Sequence, residues 1–123
     1  GRLQRVSAKT AAQRDFLAAY FARDPGAGRI GEVALVDRAS RIGQADRVYH
    51  TTLLDENAVA HVALGSAYAA TRTPDSSIKG DRGLNKSRIH VDVMIGCDEL
   101  AVYGITAKGQ SVPVIEDGTW VLG

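Results

Sequence analysis

The segment Ile89-His90-Val91-Asp92-Val93-Met94-Ile95 sets two ionisable side chains into an otherwise apolar run. A β-strand has a side-chain period of two, so His90 and Asp92 fall on one face and Val91 and Val93 on the other. An imidazole nitrogen and a carboxylate oxygen at this spacing suit a borderline cation such as Zn²⁺ or Co²⁺. The same pair is also satisfied by hydrogen bonds to each other or to the backbone. Beyond it the chain reads as further strands over residues 99–103 and 112–115, with turns at Gly96-Cys97-Asp98, Lys108-Gly109 and Asp117-Gly118.

Upstream, residues 30–36 are almost wholly apolar, as in a strand buried on both faces, with Glu32 in the middle. A buried carboxylate costs several kcal/mol unless a cation pairs with it. Arg29, Arg47 or a metal ion would each serve. Residues 37–46 are polar and Arg-rich, a surface loop, and residues 48–54 alternate like a strand. The Ala-rich residues 58–68 favour a helix capped by Asp55, with Glu56 in its first turn, where the helix dipole favours an ionised carboxylate. Seven residues apart, His61 and Tyr68 would share one helix face. A satisfied core histidine and a packing tyrosine are the plainer readings of that pair.

Residues 71–87 hold Pro74, Gly80, Gly83 and several charges, the composition of a mobile loop. At the other end, residues 2–6 alternate like a short strand, and residues 9–22 carry an apolar stripe at helical spacing behind a cap at Ser7 or Thr10. The class is therefore α+β: a mostly antiparallel or mixed sheet with two main helices.

At 123 residues and 45% hydrophobic content, one domain with a modest core is expected. Fifteen Lys and Arg against fourteen Asp and Glu leave a formal charge of +1, too little field to hold nucleic acid or an anionic membrane by charge. No apolar run approaches the roughly 20 residues of a membrane span. A single cysteine, Cys97, excludes a disulfide framework and points to a reducing compartment, by default the cytoplasm. The chain opens without Met and already in strand-like alternation, as a cut from something longer would.

Nucleotide-binding glycine loops, the GxSxG elbow and the HExxH zinc helix are absent from the sequence. Taken together, Glu32, His61, His90 and Asp92 supply the mixed nitrogen and oxygen set that a hydrolytic dinuclear centre requires.

Three motifs occur in order: Gly28-Arg29-Ile30-Gly31-Glu32-Val33-Ala34-Leu35-Val36, then Thr52-Leu53-Leu54-Asp55-Glu56-Asn57-Ala58 leading to His61-Val62-Ala63-Leu64-Gly65 and Tyr68, then Ile89-His90-Val91-Asp92-Val93-Met94-Ile95-Gly96. They resemble the thermophilic metalloaminopeptidase family of the aminopeptidase T and aminopeptidase S type. The likeness extends to Gly104-Ile105-Thr106 and Gly118-Thr119-Trp120 and leaves only residues 71–87 unassigned.

The resemblance implies a dinuclear exopeptidase that removes N-terminal amino acids from peptides with two divalent ions, Zn²⁺ or Co²⁺, as a homodimer of two-domain subunits. By motif, Glu32 would bridge or ligate the metals and His61, His90 and Asp92 would be ligands. Tyr68 would be a ligand or oxyanion partner, and Glu56 the general base. Residues 1–123 would be the C-terminal, metal-ligand-bearing domain, without the N-terminal domain and one upstream glutamate ligand, so that the site is incomplete. His50 stands where the family usually has Asn. A fragment of this kind would expose apolar surface on the helix over residues 10–22 or on edge strands, and would self-associate. The competing reading is a non-catalytic metal- or ligand-binding module derived from the same fold.

Overall fold

The computed structural model describes residues 1–71 and 83–122. Two compact units make up the chain, Gly1–Val33 with Val62–Val93, and Ala34–His61 with Met94–Gly123. The elements are α1 (Ala11–Phe21), β1 (Ile30–Ala34), α2 (Thr52–Asp55), β2 (His61–Gly65), β3 (His90–Met94), β4 (Val102–Ile105), β5 (Ser111–Glu116) and β6 (Thr119–Trp120), with short 3₁₀ turns between some of them. Two three-stranded sheets result, ordered β1-β2-β3 and β4-β5-β6. The α+β reading holds.

In the first unit, α1 starts where Thr10 and Gln13 cap each other reciprocally, each side chain accepting the other's backbone N–H at 3.2 Å. It ends at the turn that carries Asp24 and Pro25. None of its residues is fully buried. Phe16 is 65% exposed and stacks only on Tyr20, so the apolar stripe does not face a core among the described residues. Asp24 accepts the amides of Gly26 and Arg88 at 2.9 Å and the Ser87 hydroxyl at 3.0 Å. The Arg88 amide, chiefly, holds its carboxyl below its ordinary value.

The pairing of β1, β2 and β3 is antiparallel. The Gly65 amide donates to Arg29 and the Ser66 amide to Ile89, while the Ile95 and Gly96 amides both donate to Ala60. Thus β2 ends beside the starts of β1 and β3 and begins beside the end of β3. Its burial alternates strictly, with His61, Ala63 and Gly65 buried. At the edge, β1 leaves Ile30 40% and Val33 62% exposed and stops at Ala34, so it is not the doubly buried strand over 30–36 that its composition suggests. An edge strand in a small antiparallel sheet needs only one covered face.

Two assignments change. The helix read over 58–68 is in fact the central strand β2, because ladder bonds on both sides outweigh an alanine preference of at most several tenths of a kcal/mol per residue. Gly65, at φ +107°, lies outside right-handed helix geometry. The strand read over 48–54 is instead irregular backbone followed by α2. His50 sits at φ +57°, a left-handed conformation that His and Asn enter more readily than most residues. Asp55 does not cap a following helix. Its carboxylate accepts the Tyr49 amide at 2.7 Å and the Thr51 amide at 3.1 Å, folding the preceding loop back.

In the second unit, β4 pairs with β5 and β5 with β6, both antiparallel. The strand read over 99–103 starts later, at Val102, because Leu100 closes a turn onto Cys97. Asp117 and Gly118, at φ +49° and +72°, make the tight two-residue turn between β5 and β6. Ile115 of β5 is wholly buried. Among the described residues no helix is long and apolar enough to cross a membrane. Most of the loop read over 71–87 lies outside the described residues.

A Cβ at Gly65 would lie 2.1 Å from the Ile89 carbonyl oxygen. Gly65→Ala is therefore expected to destabilise the fold by more than about 2 kcal/mol in urea unfolding, from the left-handed φ plus the clash. A loss under about 0.5 kcal/mol would show that β2 and β3 separate freely there.

Candidate metal centre

Three of the residues singled out from the sequence meet in the first unit. On β3 the period of two puts His90 and Asp92 together, with His90 Nε2 3.2 Å from Asp92 Oδ1. From β1, Glu32 brings Oε2 to 3.5 Å from the same nitrogen. All three side chains are largely sheltered, at 18%, 13% and 23% exposure respectively. The ring of Tyr68, in the segment that follows β2, lies 4.7 Å from the His90 ring, centroid to centroid. Tyr68 is itself 53% exposed.

The other ring nitrogen decides the chemistry. His90 Nδ1 lies 2.7 Å from the Ser66 carbonyl oxygen. A carbonyl only accepts, so Nδ1 carries a hydrogen, and in the neutral form of the ring Nε2 is the lone-pair atom. That lone pair faces two carboxylate oxygens. Asp92 Oδ1 is buried and has no hydrogen-bond partner, its short distance to Nε2 notwithstanding. One ring nitrogen and two carboxylate oxygens converge, an arrangement that positive charge at Nε2, from a bound cation or from the imidazolium, would satisfy.

Donors each about 2.1 Å from a common tetrahedral ion stand about 3.4 Å apart, which the two distances to His90 Nε2 bracket. The pair distances alone do not make a site: among the described residues no group of three or more His, Cys, Asp and Glu side chains is arranged to hold a metal ion.

His61 and Glu56 belong to the second unit. His61 opens β2 rather than riding on a helix, so the shared helix face with Tyr68 does not exist. It is 1% exposed, and its Nδ1 lies 3.1 Å from the Val59 carbonyl oxygen. The argument used for His90 places a hydrogen on Nδ1 here too. Glu56 is half-buried at the head of the 3₁₀ turn Glu56–Ala58.

Sequence reasoning missed the residues that hold this geometry. Ser66 acts through its carbonyl, and Asn85 through amide hydrogens given to backbone oxygens of distant segments. Neither role leaves a residue-type signal in a single sequence.

The family described as Thermophilic metalloprotease (M29) matches residues 1–120. The chain belongs to this family. It is 44% identical to Aminopeptidase T of Thermus aquaticus over 101 residues, covering 80% of this chain and 25% of that protein. Against Aminopeptidase AmpS of Bacillus subtilis (strain 168) the identity is 39% over 119 residues, covering 94% of this chain and 29% of the relative. A solved structure titled wild-type AmpT from Thermus thermophilus superposes with a TM-score of 0.79 at 37% identity, over 99% of this chain and 30% of that one. The chain thus spans between a quarter and a third of the length of these relatives.

If the three acceptors await a cation, removing one carboxylate charge should not harm the metal-free fold. Asp92→Asn is expected to unfold in EDTA at the same temperature as the parent or higher. Zn²⁺ at about 100 times its Kd should stabilise the parent by about 2.7 kcal/mol and the variant far less. A variant markedly weaker in EDTA would mean that Asp92 is a structural acceptor instead.

Proposed function

We propose that this chain carries metal ligands and catalytic groups of a metal-dependent aminopeptidase, which removes N-terminal amino acids from peptides. The observation that carries the reading is the convergence of His90 Nε2, Glu32 Oε2 and the orphaned Asp92 Oδ1. The family and the names of the relatives support it. In this reading residues 1–123 are the metal-ligand-bearing C-terminal domain of a larger two-domain enzyme. Glu32, His61, His90 and Asp92 are the ligands present here, and a further glutamate outside this stretch completes a site for two ions, Zn²⁺ or Co²⁺. When bound, such ions supply Lewis-acid polarisation of the scissile carbonyl and acidify the attacking water.

The chain's own groups do the rest. Glu56 takes the proton from the attacking water and returns it to the leaving amine. The Tyr68 ring lies beside that of His90, and its hydroxyl donates to the oxyanion that develops on the carbonyl. The backbone carbonyls of Ser66 and Val59 hold the Nδ1–H of His90 and His61, so that Nε2 is the ring atom each would give to a metal. The working enzyme is a homodimer in the cytoplasm, consistent with the unpaired, exposed Cys97 and with apolar side chains such as Val33, Val93 and Met94 at the surface.

Titration of the metal-free protein with Co²⁺ tests this reading. At least one ion per chain should bind with ligand-field bands, and His90→Ala should abolish them. An absence of binding, or binding indifferent to His90→Ala, overturns the site. Where the loaded protein releases N-terminal residues, Glu56→Gln should lower kcat by about 100-fold or more with the Co²⁺ spectrum unchanged. An unaltered kcat removes Glu56 from the role of base.

A further inference from the structure

We infer that Asn85 is a positioning residue for the His90 imidazole, acting through the peptide groups on either side of Ser66. The inference rests on His90 being a metal ligand, as proposed above, and gives the Asn85 hydrogen bonds a function in the site. The Ser66 carbonyl is the acceptor that fixes the His90 tautomer, so whatever orients that carbonyl sets the direction of Nε2. Asn85 holds both flanks. Its Nδ2 donates to the carbonyl oxygen of Gly65, and its backbone oxygen accepts the Ala67 amide at 2.9 Å.

The second hydrogen of the same amide goes to Gly26 at 2.9 Å, with Arg29 oxygen at 3.5 Å. One side chain therefore ties together the turn before β1, the exit from β2 and the approach to β3. Glu32 follows Arg29 by three residues and His90 follows Asn85 by five, so the same knot sets where both acid and imidazole enter the cluster. Every acceptor on Asn85 Nδ2 is a carbonyl, so the position requires an uncharged double donor. Aspartate has the same shape and would turn three attractions into repulsions.

Two readouts separate positioning from general stability. In the metal-free protein at alkaline pH, long-range proton–nitrogen-15 correlation should show His90 protonated at Nδ1 in the parent and shifted towards Nε2 in Asn85→Asp. Zn²⁺ affinity should fall by about 10- to 100-fold, the usual effect of losing support behind a histidine ligand. Asn85→Ala, which removes the donors without adding charge, should act likewise and carries the test if Asn85→Asp does not fold. Asp24→Ala is the control. It frees the same segment at Ser87 and Arg88 but leaves the bonds around Ser66, and should retain the parental tautomer.

An unchanged tautomer and affinity in the folded Asn85 variants overturns the inference. An equal shift in Asp24→Ala does so too, because loosening of the whole segment would then suffice. A parent chain that binds no metal contradicts the proposed function instead, and the tautomer measurement still decides the role of Asn85.

Discussion

The hydrogen bond from His90 Nδ1 to the Ser66 carbonyl is the constraint on which the site depends. It commits one ring nitrogen to the backbone and thereby commits the other to the two carboxylates, at 3.2 and 3.5 Å. In the neutral ring that bond leaves Nε2 without a hydrogen to give Asp92, whose Oδ1 is buried, so positive charge at this point, from a cation or from the imidazolium itself, satisfies the cluster.

The backbone around Ser66 is shaped to make this possible. At Gly65 the chain leaves β2 with a left-handed φ, close against Ile89 at the start of β3. In β1, Gly31 lets the edge strand approach the same turn, since a Cβ there would lie 2.3 Å from the Gly65 oxygen. Small residues at these two positions bring Glu32 on β1 and His90 on β3 within reach of one another across a central strand. The cluster follows from how closely three strands pack where β2 ends.

Much of this was legible in the sequence, for identifiable reasons. The pairing of His90 with Asp92 needed only the strand period. Glu32 stood out as a carboxylate among apolar residues, although its strand proved to be a half-exposed edge. Asp117 and Gly118 announced their turn through local chemistry alone, and the helix cap was narrowed to Ser7 or Thr10, of which the structure uses Thr10. What failed was β2. Residues 58–68 are rich in alanine, and local preference could not show that the segment lies between two other strands. Asp55 was misread with it, because a carboxylate that caps a helix and one that braces a loop look alike in sequence. Asn85 was invisible, since its bonds reach backbone groups 20 and 59 residues away.

The most direct test of the central claim is anomalous scattering at the zinc absorption edge from crystals of the Zn²⁺-loaded protein. A peak about 2.0–2.2 Å from His90 Nε2 and from carboxylate oxygens of Glu32 and Asp92 is the predicted result. No peak at that point, with His90 Nε2 instead hydrogen-bonded to Asp92, would contradict the account.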